Sequence, residues 1–151
     1  MKKVLILGLL LVVAVSAISA ISAVSASEGV TVDGIHFKIV DGYKAVEKDI
    51  DSSKPTDTED IDGTAVDSKV TSEYKDSSGN EIEIEVGSRN NKKIDLINPG
   101  KGEKKSIAGK EGFLIKDTDD GKTKYKFEFL QDGKIIKITA PSEDIINQVL
   151  S

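Results

Sequence analysis

A chain of 151 residues with 21 basic and 26 acidic side chains carries a net charge of −5, a poor balance for binding nucleic acid, where phosphate neutralisation supplies the affinity. Cysteine is absent, which removes thiol nucleophiles, iron–sulfur clusters, cysteine-based zinc sites, a lipobox thioether and any disulfide scaffold. The length suffices for one domain with its own core.

The first element in chain order is a leader. Met1-Lys2-Lys3 is followed by an apolar run from Val4 to Val15, then by a stretch to Ala26 in which serine alternates with small and aliphatic residues. A basic start, a short apolar segment and small residues at the cut site spell a secretory signal peptide. Val24-Ser25-Ala26 before Ser27 meets the cleavage requirement, and Ala20 and Ala23 offer earlier cuts. Residues 1–26 are therefore expected to be the signal and 27–151 a single mature domain. A membrane span needs ~20 apolar residues, and no charge interrupts 4–26, so an uncleaved anchor is the alternative. In that case the chain meets the membrane only through residues 4–26. Either way the domain is exported, secreted or held at the cell surface. Loss of Lys2 and Lys3 with the leader takes its net charge from −5 to −7.

Asp-Gly pairs punctuate the mature domain, at 33–34, 41–42, 62–63, 120–121 and 132–133. Glycine accepts positive φ and aspartate tolerates it, so the pairs predict tight turns between strands. Between them apolar residues recur at every second position. Ile35, Phe37 and Ile39 share a side opposite His36 and Lys38. Val66, Val70 and Tyr74 share a side of a longer, more polar segment. Ile82, Ile84 and Val86 alternate with Glu81, Glu83 and Glu85, and Tyr125, Phe127 and Phe129 with Lys124, Lys126 and Glu128; Ile136 and Ile138 flank Lys137. This period predicts strands with one face buried and one wet, as in an antiparallel sheet. Hairpins are expected at Ser77–Asn80 and Gln131–Lys134. At the end, Ser142 can cap a helix that has Glu143 and Asp144 in its first turn and Ile145, Ile146, Val149 and Leu150 on one face. A helix this short needs the sheet to pack against.

Two stretches lack such periodicity. Residues 49–62 read as an exposed acidic loop, and 90–102 as a short strand or a helical turn. Charge is concentrated around them: nine acids lie between Asp41 and Asp67, and seven bases between Arg89 and Lys110. These runs are either solvated loops or patches, the acidic one for cations and the basic one (Lys92, Lys93, Lys104, Lys105) for anionic wall polymer or headgroups.

Catalytic constellations are sparse. His36 is the single histidine and lies on the polar side of its strand, and no nucleophile elbow, Ser-x-x-Lys motif or phosphate loop is present. The chain is expected not to be an enzyme and to need no cofactor. For a hard cation the acidic loop is the candidate, with Asp57, Glu59, Asp60 and Asp62 as oxygen donors. Asp117–Gly121 also resembles the start of a calcium loop, with its glycine one residue early.

Ser106-Ile107-Ala108-Gly109-Lys110-Glu111-Gly112-Phe113, the hairpin from Lys124 to Ile138 and the closing Ser142–Ser151 together resemble small uncharacterised exported proteins of methanogenic archaea and Gram-positive bacteria. The opening Phe37–Tyr43 is similar to the first strand and turn of the PsbP-like and Mog1-like fold, with Val40 and Tyr43 where proline and tryptophan are common. The resemblance implies an α+β fold, export and a binding or accessory role, and carries no catalytic residue. The expectation is thus α+β: an antiparallel sheet of about six strands packed by a C-terminal helix. Its function is that of an exported, non-catalytic module binding a cell-surface protein or wall polymer. The alternative is a small-ligand or divalent-cation binder using the acidic loop.

Overall fold

The computed structural model describes residues 29–46, 59–98 and 100–151. The leader lies outside them, and so does Asp57. In chain order the strands are β1 (Gly29–Val32), β2 (Ile35–Lys38), β3 (Lys44–Ala45), β4 (Glu59–Ile61), β5 (Thr64–Val66), β6 (Ser68–Lys75) and β7 (Glu81–Ser88). They are followed by β8 (Glu103–Ile107), β9 (Lys110–Asp119), β10 (Lys122–Gln131) and β11 (Lys134–Ala140), and the helix α1 (Glu143–Leu150) closes the chain. Seven of them form one antiparallel sheet in the order β3-β6-β7-β11-β10-β9-β8, while β1-β2 and β4-β5 are separate hairpins.

Two parts of the expected fold class need correction. Among the described residues the fold is mostly β, with one helix of 8 residues, and the main sheet has seven strands instead of about six. The periodic reading passes over β8 because Glu103-Lys104-Lys105-Ser106 are all exposed and only Ile107 is buried. A polar strand at a sheet edge has no apolar alternation to betray it, and its lysines guard the edge.

The turn chemistry holds. Both residues of Asp33-Gly34, Asp62-Gly63, Asp120-Gly121 and Asp132-Gly133 have positive φ, and each pair closes a two-residue hairpin. Ala108-Gly109 does the same between β8 and β9. The longer 76–80 turn is held by Asp76, whose carboxylate accepts from the backbone N–H groups of Ser78 and Asn80 and from the Asn80 amide.

On one face of the sheet, Ile82, Ile84, Val86, Phe127, Phe129, Ile136, Ile138 and Ala140 form the main core. The hairpin β1-β2 closes over it with Val32, Ile35 and Phe37, and α1 adds Ile146 and Val149. Ser142 caps the helix as expected, its hydroxyl accepting from the Ile145 N–H at 3.3 Å.

The opposite face is only partly wet. There Ile61, Val66, Ile94, Ile97 and Ile135 form a second cluster, with Phe113 and Leu130 packed against it. The hairpin β4-β5 lies directly on β7 at Gly87, where an added Cβ would come 2.6 Å from Val66 and 2.8 Å from Ile61. Three local expectations change accordingly. Val66 and Tyr74 belong to different clusters because the chain leaves the hairpin at Asp67 before entering β6. Residues 59–61, read as loop, form a strand with Ile61 buried. Residues 93–98 form neither strand nor helical turn but an irregular strap.

Candidate functional site

Beyond β7, Arg89 and Lys92 meet as an isolated antiparallel bridge, with Asn91 in the left-handed region at φ 57°. The bridge sets two cations directly opposite each other, a pairing that costs stability. The strap after it is tied down. The Asn90 N–H donates to Asp67 Oδ2 at 2.8 Å, the Ile94 N–H to the Gly133 carbonyl at 2.8 Å, and the Asn98 N–H to Thr64 Oγ1 at 3.0 Å. Ile94 and Ile97 are buried, whereas Leu96 between them is 77% exposed.

The strap separates two clefts. One, of about 480 Å³, is lined by Arg89, Lys92, Lys93 and Asp95 together with Gly63–Ala65 of the β4-β5 hairpin and Asn98. The other, of about 320 Å³, has Phe113, Leu130 and Gly112 for walls and Lys104 and Glu111 among its lining. Asp95, Leu96 and Ile97 line both. The basic segment is thereby divided. Lys104 pairs with Glu111 at 3.8 Å and Lys105 with Glu143 at 2.6 Å. Among the described residues no ion pair engages Arg89, Lys92 or Lys93.

Next to the first cleft, the Asp62-Gly63 turn seals a row of charges on the sheet. Register places Glu85, Lys137 and Glu128 side by side across β7, β11 and β10. Lys137 Nζ lies 2.5 Å from Glu85 Oε2 and 3.6 Å from Asp62 Oδ1, and Lys69 approaches the other Glu85 oxygen at 3.5 Å. Glu128 is 0% exposed, and no donor among the described residues reaches either of its oxygens. Its carboxyl faces the Asp62 carboxylate instead, so two acceptors meet, and the pair is satisfied when Glu128 keeps its proton and donates it. Burial, reinforced by Asp62, accordingly pushes Glu128 up to about 8. Asp62 receives that hydrogen bond and stays below the usual carboxylate range despite partial burial. Burial opposes the charge on Lys137, yet Glu85 and Asp62 beside it raise its pKa overall. With Glu128 neutral, Glu85 and Asp62 balance Lys137 and Lys69.

The expected cation donors are therefore spread over different tasks. Asp57 lies outside the described residues, and Glu59 opens β4. Asp60 Oδ1 accepts from the Gly63 N–H at 3.0 Å, while Asp62 points to Lys137 and Glu128. Among the described residues no three histidines or carboxylates come together as a metal-holding group. In the second calcium-like stretch, Asp117 pairs with Lys126 at 3.0 Å and Asp120-Gly121 forms the β9-β10 turn. His36 is exposed on β2 opposite Thr31.

Alternation alone assigns Glu85, Glu128 and Lys137 to water, whereas the structure buries the two glutamates and half-buries the lysine between them. One signal of this was present. Phe113-Leu114-Ile115, Phe129-Leu130 and Ile135-Ile136 are consecutive apolar residues, which a strand with one wet face does not need.

The chain matches no protein-family model, no curated protein and no solved structure. Among the described residues no helix is long and apolar enough to cross a membrane.

Proposed function

We propose that the chain is an exported, non-catalytic binding module that takes an anionic group of a cell-surface protein or wall polymer into the cleft between the strap and the β4-β5 turn. The observation that carries this is the facing pair Arg89 and Lys92, with Lys93 beside it and no ion-pair partner among the described residues, in a chain of net charge −5. An anion seated between these cations relieves their repulsion, and the arginine fork can bind a carboxylate or phosphate through two hydrogen bonds. The other lining groups favour binding over chemistry. Among the described residues the only hydroxyl lining this cleft is that of Thr64, which accepts from Asn98, and the only carboxylate is Asp95. The leader pattern of residues 1–26 and the resemblance of the C-terminal half to small exported proteins support the location.

Isothermal titration with poly-L-glutamate and with tripolyphosphate at ~50 and ~200 mM salt tests the site. Binding is expected to weaken at the higher salt, to be lost in Arg89→Ala/Lys92→Ala, and to persist in Lys104→Ala/Lys105→Ala. Unchanged binding in the first variant sinks the proposal. Mass spectrometry of the native protein tests export: a new N-terminus near Ser27 is expected, and an intact Met1 points to retention.

A further inference from the structure

Resting on the anionic reading of the first cleft, we infer that the partner is a protein that presents an extended segment with an acidic side chain closely followed by a large apolar one. The acid sits at Arg89 and Lys92, and the apolar side chain enters the second cleft beside Leu96.

The strap carries the argument. Asp95, Leu96 and Ile97 line both clefts, so the two adjoin across the strap. Their chemistry differs. The first gathers three cations around one aspartate, whereas the second is walled by half-buried Phe113 and Leu130. Its volume of about 320 Å³ equals that of roughly ten waters in the liquid, room for one aromatic or leucine side chain. Leu96 stands between the two, 77% exposed although the strap around it is hydrogen-bonded and anchored by buried Ile94 and Ile97. A large apolar residue held outward on a fixed backbone, next to a cleft with apolar walls, gains most when a partner covers both.

Shape and charge favour a peptide over a lipid surface. Side chains of an extended chain recur every ~3.3 Å and can drop into two hollows parted by a narrow ridge. A flat bilayer fills neither hollow. A net charge of −5, or −7 after loss of Lys2 and Lys3, also opposes approach to anionic headgroups.

The test uses the purified chain and two fluorescein-labelled peptides, Ser-Glu-Glu-Ser-Phe-Ser and Ser-Glu-Glu-Ser-Ser-Ser, read by fluorescence anisotropy. The phenylalanine peptide is expected to bind about tenfold more tightly or better. Leu96→Ser should remove most of that advantage without weakening the serine peptide, and Arg89→Ala/Lys92→Ala should weaken both at least tenfold. Because Leu96 is exposed, its variant should melt with the parent, which separates lost contact from lost folding. Equal affinity for the two peptides, with loss of both in Arg89→Ala/Lys92→Ala, overturns the acidic–apolar segment and leaves the anionic cleft standing. Co-sedimentation with phosphatidylglycerol vesicles in place of peptide binding assigns the surface to a membrane and overturns the inference. Failure of the peptides, the vesicles and poly-L-glutamate alike overturns both readings.

Discussion

The same strands build two unlike faces. On one, Ile84, Phe127, Phe129, Ile136 and Ile138 are shut under α1 and β1-β2. On the other, Ile135 and Gly87 are covered by the small β4-β5 hairpin, and two residues further along the strands Glu85, Lys137 and Glu128 stand in a row. The first face asks only for volume and tolerates exchange among apolar side chains of similar size. The second asks that each charge keep its partner, because a buried charge that loses one cannot turn to water. The two faces should therefore respond differently to mutation and to pH.

The largest effect should come from opening the apolar face. Ending the chain after Pro141 removes α1 and uncovers the surface under Ile146 and Val149, a loss of order 5 kcal/mol that leaves little of a typical domain's stability. Circular dichroism should show an unfolded or non-cooperative chain; a cooperative melt like the parent's would make the helix an ornament.

Next comes the charged row. Lys137→Ala leaves Glu85, whose side chain is 8% exposed, with Lys69 alone at 3.5 Å, and should cost about 3 kcal/mol in urea denaturation. Glu85→Leu/Lys137→Met replaces the pair by apolar side chains and should cost far less than the single alanine. If it costs more, the row is a stability element in its own right and the contrast between the faces is drawn wrongly.

Glu128 sharpens the comparison through pH. Its carboxyl titrates near 8 in the fold against 4.5 when exposed, so the stability tied to its proton is complete below about pH 4.5 and is lost as pH rises through 8. Asp62 acts in the opposite sense: its pKa is lowered in the fold, so its contribution is present above 3.8 and is lost as acid protonates it. From about pH 5 to 9 the melting temperature should therefore fall. Glu128→Gln, whose amide can donate to Asp62 at any pH, should flatten that slope and exceed the parent at the alkaline end by roughly 1–3 kcal/mol. Parallel pH profiles would show that no proton is shared there. The smallest effect belongs to Lys104→Ala. Its 3.8 Å pair with Glu111 joins side chains that are each 75% exposed, so less than about 0.5 kcal/mol is expected in the same denaturation experiment.

Much of the main core was legible before any coordinates. Ile82, Ile84, Val86, Phe127 and Phe129 alternate with polar neighbours, and a two-residue period maps directly onto the two sides of a strand. The basic segment was also visible, and three of its members line the first cleft. The division of labour among its lysines was not, since it depends on whether Glu111 and Glu143, brought near by strand pairing and by the helix, lie within reach. Nor was the second cleft, whose walls come from residues 95–97, 104, 111–113 and 130.

By itself the sequence determined what neighbouring residues can settle among themselves. Four of the five Asp-Gly pairs impose left-handed turns, alternation assigns sides to the central strands, and Ser142 begins the last helix. Only the tertiary structure decided that β4-β5 and the strap would lie across the supposedly wet face, burying Glu85 and Glu128, half-burying Lys137 and leaving Leu96 outside. The reason is physical: a strand's period tells which residues share a side, but whether that side meets water depends on segments far away in the chain that come to rest on it.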